Sequence, residues 1–427
     1  MKTRHLSNVP RALLIIGILA ALLSACAPQD QRQEINFVFM KTSELTEPYW
    51  QDVIGKFESE NPNIKVNLYI FDWGVGDQEI QKMIDAGNPP TLARVATRWV
   101  PTYMAAGLLE TVDKYITDEF RSQFIPVLMN EGSQYDGLTF GLPITVTSRA
   151  MYYNKDLFAK AGISEPPTTW EDLKKDAAAI RALGPDIYGF GIQGKDVDTS
   201  TYFYYFLWGN GGDVLTADGT RPAFNGEEGQ AALNFIHGMM DEGLTQPDPA
   251  LTDRNALMDL FRDGRLGMVI TPPMLSTKLA KEAPALNYGL APIPYNTDPI
   301  TIAAQDSLIL FKQSTDAQKE AAWKFINFLY QDEYRLKYAL MEGVLPEKVS
   351  VAEKPEITEN PSTAFFMNQL YSPSARFEQV NVRSVDIATA VAEALQATYR
   401  GEMSPADALK EAETQVLRIL SYSATSW

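Results

Sequence analysis

The 427 residues are 45% hydrophobic, 21% charged and 11% aromatic, enough to bury a sizeable core, which excludes a disordered tail or a disulfide-stapled miniprotein and points to two or three domains. A formal charge of −17 argues against a nucleic-acid binder, because phosphate recognition relies on clustered Lys and Arg. With only His5 and His237, and Cys26 as the single cysteine, His-based metal clusters and Ser–His–Asp chemistry are disfavoured, and no metal or cofactor is expected.

Lys2, Arg4 and Arg11 precede an apolar run over residues 12–23 that is too short to span a bilayer but suits a signal-peptide core. Leu23-Ser24-Ala25-Cys26 resembles the bacterial lipobox, whose cysteine sulfur takes a diacylglyceryl group. Cleavage before Cys26 would remove Lys2, Arg4 and Arg11, take the net charge from −17 to −20, and use the only thiol for lipidation. Palmitate-type acyl chains contribute about 0.8 kcal/mol per buried methylene, so several chains anchor an otherwise soluble body outside the cell. Residues 1–25 are thus expected to be a lipoprotein signal peptide and 26–34 a lipidated, polar tether.

Beyond the tether, residues 35–40 read as a buried strand. Trp50, Val53, Ile54 and Phe57 share one helical face, and Asn61-Pro62 stops that helix. Ile64, Val66, Leu68 and Ile70 alternate as a half-buried strand does. A second helix carries Ile80, Met83 and Ile84 and stops at Gly87, and residues 92–96 begin another strand. Gly74 and Gly76 read as a flexible turn. This strand–helix alternation predicts a parallel sheet covered by helices.

A second α/β block starts near Arg149, with a strand over 150–153 and a helix over 156–161 ending at Gly162. Thr169 and Asp172 form a capping-box-like pair before Trp170, Leu173, Ala177 and Ile180. Aromatic residues 202–208 lead into the turn Asn210-Gly211-Gly212-Asp213, and a helix over 231–240 contains His237, read as an ordinary helical histidine. Residues 268–270, 290–293 and 307–311 look like strands and 321–329 like a helix. Residues 346–361 are polar and proline-spaced, as a crossing between lobes would be. Ser404-Pro405-Ala406-Asp407 opens a last helix.

Several catalytic signatures are missing: His-Glu-x-x-His, Gly-x-Ser-x-Gly, a complete dinucleotide glycine pattern and a phosphate-loop lysine motif. A glycosidase needs only two carboxylates at the right separation, so a secreted carbohydrate-active enzyme stays open on the residues alone.

The ordered segments Ala86-Gly87-Asn88-Pro89-Pro90, Ala105-Ala106-Gly107-Leu108-Leu109-Glu110, Tyr135-Asp136-Gly137 and Gly141-Leu142-Pro143 are followed by Tyr153-Asn154-Lys155-Asp156 and Pro166-Pro167-Thr168-Thr169-Trp170. Gly209-Asn210-Gly211-Gly212-Asp213, Phe261-Arg262-Asp263-Gly264-Arg265 and Pro292-Ile293-Pro294 complete the series. In this order, behind a lipobox, they resemble the extracellular solute-binding proteins of ABC importers, in particular the large carbohydrate-binding group similar to maltose-binding protein.

The resemblance implies a periplasmic-binding-protein-like α/β fold of type II, two lobes joined by a multi-segment hinge that bends to close a ligand cleft. It implies crossings near residues 144–147, 296–301 and 342–349, with one lobe from 35–145 plus 300–345 and the other from 148–296 plus 350–427. The implied function is a non-enzymatic, membrane-anchored, extracytoplasmic receptor. It would be a monomer that passes a mono- or oligosaccharide to ABC permease subunits and binds no nucleic acid. A receptor feeding a sensor is the rival within that fold.

Pyranose rings stack on Trp and Tyr, and their hydroxyls need amides, carboxylates and guanidinium groups. By position in the family, the implied ligand-binding residues are Ser43 and Glu44 after the first strand, Asp72 and Trp73 after the second, and Arg98 and Trp99 after the third. The second lobe would add Thr201, from residues 198–202 ahead of the aromatic helix, and Trp208, which either stacks or packs. Arg149 fits a hinge or a ligand contact, and Met274, Asp306, Arg376, Arg383 and Asp386 complete the set. The chain departs from the family at Pro89-Pro90-Thr91, at Ala304-Gln305 in place of Gly-Gly, and at Met274, which follows Pro272-Pro273 where maltose-binding protein has a stacking tryptophan. Maltodextrin specificity is therefore unsupported, and the arginines leave room for an acidic sugar or a phosphorylated polyol.

Overall fold

A computed structural model describes residues 32–130, 132–135, 137–195, 198–377 and 382–421. Cys26 and the expected signal peptide lie outside the described residues. The strands in chain order are β1 (Gln33–Met40), β2 (Ile64–Phe71), β3 (Leu92–Ala96), β4 (Leu109–Glu110), β5 (Gln134–Tyr135), β6 (Leu138–Thr139) and β7 (Gly141–Thr147). Then come β8 (Ala150–Asn154), β9 (Tyr188–Phe190), β10 (Leu266–Thr271), β11 (Tyr288–Ala291), β12 (Thr301–Ile302), β13 (Ala304–Phe311) and β14 (Ala375–Arg376). The first strand starts two residues inside the stretch expected to be tether.

The chain folds into two α/β lobes. One is built on a six-stranded sheet ordered β2-β1-β3-β13-β4, with β7 also paired to β13; the other on a four-stranded sheet ordered β11-β8-β10-β9. In the first sheet β1 runs parallel to β2 and β3, as the strand–helix alternation predicts, whereas β13 runs antiparallel to β3 and to β7. The second half of β1, Phe37–Met40, is a continuous apolar run because both its faces are covered there. Phe37 and Phe39 pack with Trp50, Phe57 and Phe325, while Val38 and Met40 pack with Ile80, Val95 and Ile309. Trp50, Val53, Ile54 and Phe57 are buried together on the helix Thr46–Glu60, as their spacing requires. The helix Trp170–Arg181 starts where the capping pair predicts, Thr169 Oγ1 accepting from the amide of Asp172.

The aromatic stretch is a helix, Asp198–Gly209, buried nearly all round, so residues 198–202 are its first turns rather than a loop ahead of it. Residues 346–361 are not open chain: they form the short helices Val349–Ala352 and Pro355–Thr358, with Val351 and Ile357 buried. Gly76 is not merely part of a turn either. It opens the helix Gly76–Asp85, where a Cβ would overlap the thioether of Met40. His237 stands partly exposed on the helix Glu227–Asp241, its Nδ1 2.9 Å from Asp241 of the next turn.

The chain passes from the first sheet to the second over Ser148 and Arg149, just after the end of β7. A later segment returns beside it, Leu345 donating its amide to Val146 O at 2.8 Å. Arg335, on the helix Asp332–Glu342, clamps both: its Nε reaches Glu347 at 2.5 Å and its Nη2 donates to Ile144 O. Arg335 and Glu347 are each only 1% exposed, so neither charge has water as an alternative partner. Replacing Glu347 by Gln leaves the guanidinium buried and unpaired. The expected loss is about 3–5 kcal/mol of unfolding free energy in denaturant titration, with the Arg335→Met/Glu347→Leu double variant recovering much of it.

Candidate ligand-binding site

Parallel pairing decides which side chains meet. The carboxyl ends of β1, β2 and β3 lie at one edge of the first sheet, and the antiparallel β13 brings its amino end to the same edge, Asp306 opposite Ala96. Ser43, Glu44, Asp72, Trp73, Arg98 and Trp99 follow those strand ends and are therefore gathered there. Trp73 and Trp99 meet edge to face, their ring centroids 5.8 Å apart. Glu44 is exposed and pairs with Lys41 at 2.6 Å; this contact first, and Asp72 nearby, push the Lys41 ammonium pKa above its ordinary value. Ser43 Oγ accepts from the amide of Leu45, which turns the chain into the following helix.

Beneath the two tryptophans lies Arg94, which the sequence reading passed over as part of a strand. It is only 2% exposed. Its Nε and Nη2 reach Asp306 at 2.9 and 2.5 Å, and its Nη1 donates to Met40 O and Thr42 Oγ1, each at 2.7 Å. The guanidinium carbon lies 4.6 Å from the centre of the Phe39 ring and 5.0 Å from that of Trp73. Asp306 is thus an anchor for Arg94 at the site's floor, and the one signal for Arg94 in the sequence is a lone cation inside the apolar run Leu92–Ala96.

A second group lies at the junction of the lobes. Asp198 pairs with Arg254 at the start of the helix Arg254–Arg262. Burial alone would raise the Asp198 pKa, but the charges of Arg254, Arg98 and Arg149 outweigh it and hold the carboxyl below its usual range. Arg98 belongs to the first lobe, Asp198 and Arg254 to the second, and Arg149 to the connection between them. Arg149 is 8% exposed; its Nε donates to Tyr205 Oη at 3.1 Å and its Nη1 to Thr147 Oγ1 at 2.7 Å. Its backbone amide and carbonyl are bonded to the Thr301 hydroxyl. Thr201 stands half-buried in the same first turns as Asp198. Asp198 lies in the stretch 198–202 that the family resemblance placed at the cleft, whereas Arg254 and Tyr205 were not singled out from sequence, because no local pattern marks residues whose partners arrive from separate segments.

The remaining expected residues have other surroundings. Trp208 is 2% exposed, its indole nitrogen donating to Asp213 at 3.0 Å, so it packs and offers no free ring face. Arg376 lies over that ring at 5.3 Å and pairs with Asp213 at 3.0 Å. Arg383 and Asp386, 3.5 Å apart, stand at the start of the helix Ser384–Tyr399, which abuts Thr97–Trp99 across the junction. Met274 packs against the core of the first lobe from the helix Met274–Glu282. Among the described residues no three His, Cys, Asp or Glu side chains are grouped to hold a metal ion, and no helix is long and apolar enough to cross a membrane.

Residues 42–335 match the family model described as bacterial extracellular solute-binding protein. The chain belongs to that family. A Brucella abortus (strain 2308) protein, provisionally named a binding protein, is 39% identical over 407 residues, covering 95% of this chain and 98% of the relative. The maltotriose-binding protein of Pyrococcus abyssi is 28% identical over 296 residues, 67% of this chain and 60% of the relative. Among solved structures, the ABC transporter solute-binding protein of Thermotoga lettingae TMO bound with alpha-D-tagatose superposes with a TM-score of 0.81 at 26% identity, over 91% of this chain and 100% of that one.

In this solute-binding protein Asp198 is a carboxylate on which all three junction arginines bear. Asp198→Asn is expected to lower stability by about 1–2 kcal/mol at neutral pH, discounted because the side chains of the Asp198–Arg254 pair keep 26% and 32% of their exposure. A depressed carboxyl pKa stabilises above the ordinary carboxylate range and loses that contribution as pH falls through the folded pKa. The gap between wild type and variant in denaturant titrations should therefore be full at pH 7 and close on acidification below about pH 4.

Proposed function

We propose that the protein is a receptor that binds a mono- or oligosaccharide between its lobes and hands it unaltered to the permease of an ABC importer. In this reading it is a monomer moored outside the cell through a lipid on Cys26. We assign residues 35–145 with 300–345 to one lobe and 148–296 with 350–427 to the other. The observation that carries the reading is the tryptophan pair. Two indoles held edge to face at the carboxyl edge of a sheet, beside exposed Asp72 and half-buried Arg98, combine the stacking surface and the polar partners that a pyranose needs. The family supports it, as do a relative named for maltotriose and a neighbour bound with tagatose. No chemistry is required of the site: ligand touching both lobes stabilises the closed arrangement by its differential affinity for that arrangement.

A bound sugar is expected to contract the molecule in solution scattering and to raise the melting temperature in a saccharide panel that includes tagatose and maltotriose. Trp99→Ala should weaken the affinity of whichever sugar binds by about 1–3 kcal/mol in calorimetry, with the fold intact by circular dichroism. Unchanged affinity would remove Trp99 from the site. New reducing ends on incubation with glycans would replace the receptor reading by a carbohydrate-active enzyme.

A further inference from the structure

Two indoles make a stacking surface only if both rings stand still, and this pair is held from below by different means. Trp73 lies 5.0 Å from the guanidinium carbon of Arg94, whose Nη1 donates to Met40 O at 2.7 Å. Trp99 is half-buried and packs, with Trp73, against the cluster that contains Met40, Ile80, Val95 and Ile309. Met40 is fully buried at the exit of β1, so its carbonyl serves the first ring while its side chain belongs to the packing beneath the second. Met40 and Trp99 come together at Gly76. A Cβ on that residue would overlap the Met40 sulfur and lie 2.8 Å from the Met40 methyl carbon and 3.7 Å from Trp99 Cη2.

Nothing else about position 76 asks for a glycine. Its φ is not left-handed, and it opens the helix Gly76–Asp85, a place that other residues fill at lower conformational cost. The nearby Gly74 is different, since a Cβ there meets nothing within 4 Å. We propose that Gly76 is a positioning residue of the sugar site: the space left by its missing side chain seats the Met40 thioether beside the Trp99 indole, and so sets where the stacking face stands. This deepens the sugar-binding reading above and rests on it. A thioether is flexible and polarizable, so it fills such a gap and packs well against a ring. A methyl group at position 76 would evict it. The Met40 backbone is tied to Arg94 and to the strand, so the displacement falls on side chains. Ile80, Val95 and Ile309 are fully buried and close-packed, whereas Trp99 is only half-buried and is the neighbour with room to move. Its 5.8 Å edge-to-face contact with Trp73 would change with it.

The test is Gly76→Ala in the full chain. It is read by near-UV circular dichroism, in the part of the spectrum that Trp99→Ala also changes, and by calorimetry with D-tagatose, maltotriose and any other saccharide that raises the melting temperature of the wild type. Gly76→Ala should alter that tryptophan signal, leave the far-UV spectrum as it was, and weaken sugar binding by about fivefold or more. Gly74→Ala should alter none of these. In a Met40→Val background, which lacks the thioether, the same glycine change should cost far less affinity, because the two positions act through one gap. A Gly76→Ala protein with a lowered melting temperature but the wild-type tryptophan signal and affinity overturns the seat and leaves the sugar reading standing. So does an affinity loss that is equal with and without the thioether. A wild type that responds to no saccharide of the panel overturns both.

Discussion

A charged side chain in the middle of a sheet is an expense unless everything around it conforms, and Arg94 imposes that condition here. Its ion pair with Asp306 joins residues 212 positions apart and fixes β13 against β3 in the one register that places the carboxylate under the guanidinium. Its other donors fix the exit of β1 through Met40 O and Thr42, and Tyr338 Oη from the helix Asp332–Glu342 closes the ring at 3.3 Å. Trp73 lies over the same cation and Trp99 against Trp73. The surface that faces the junction is thus assembled only when the first lobe, including its late-arriving strand and helix, is complete.

This dependence explains what the sequence discloses. Period-2 and period-3.6 patterns mark β2 and the helix Thr46–Glu60, while β1 and β3 show as short apolar runs, and parallel pairing then forces the residues after those strands to one edge. Ser43, Asp72, Trp73, Arg98 and Trp99, which the family resemblance singles out, are gathered there for that reason. The antiparallel insertion of β13 is not, because antiparallel pairing with β3 and β7 is a property of the whole path of the chain. The helix Asp198–Gly209 shows no polar face, being buried nearly all round, so its period is silent and its first turn passes for a loop. The same burial turns Trp208 into a packing residue. Arg254 and Tyr205 acquire their role solely from partners brought by other segments, and no spacing rule reaches across 50 residues.

The connections between lobes show a second economy of contacts. Ser148 and Arg149 make the shortest crossing, stitched to Thr301 through both the amide and the carbonyl of Arg149. The returning segment is bonded to β7 at Val146 and Leu345, and Arg335 with Glu347 secures it from the first lobe. Bonds between neighbouring crossings make them move as a band, and each crossing's own soft dihedrals remain the place where bending is absorbed.

Charge then bears directly on that bending. Arg98 of the first lobe and Arg149 of the connection both bear on Asp198 of the second lobe, so one carboxylate is coupled to three parts of the chain. Two like charges drawn together in a desolvated space repel more strongly than the same charges in water, because the effective dielectric is lower. Asp198 offsets part of that repulsion, and its depressed pKa keeps it ionised to do so. A ligand that fills the cleft shifts the balance between arrangements of the lobes only by its differential affinity for them.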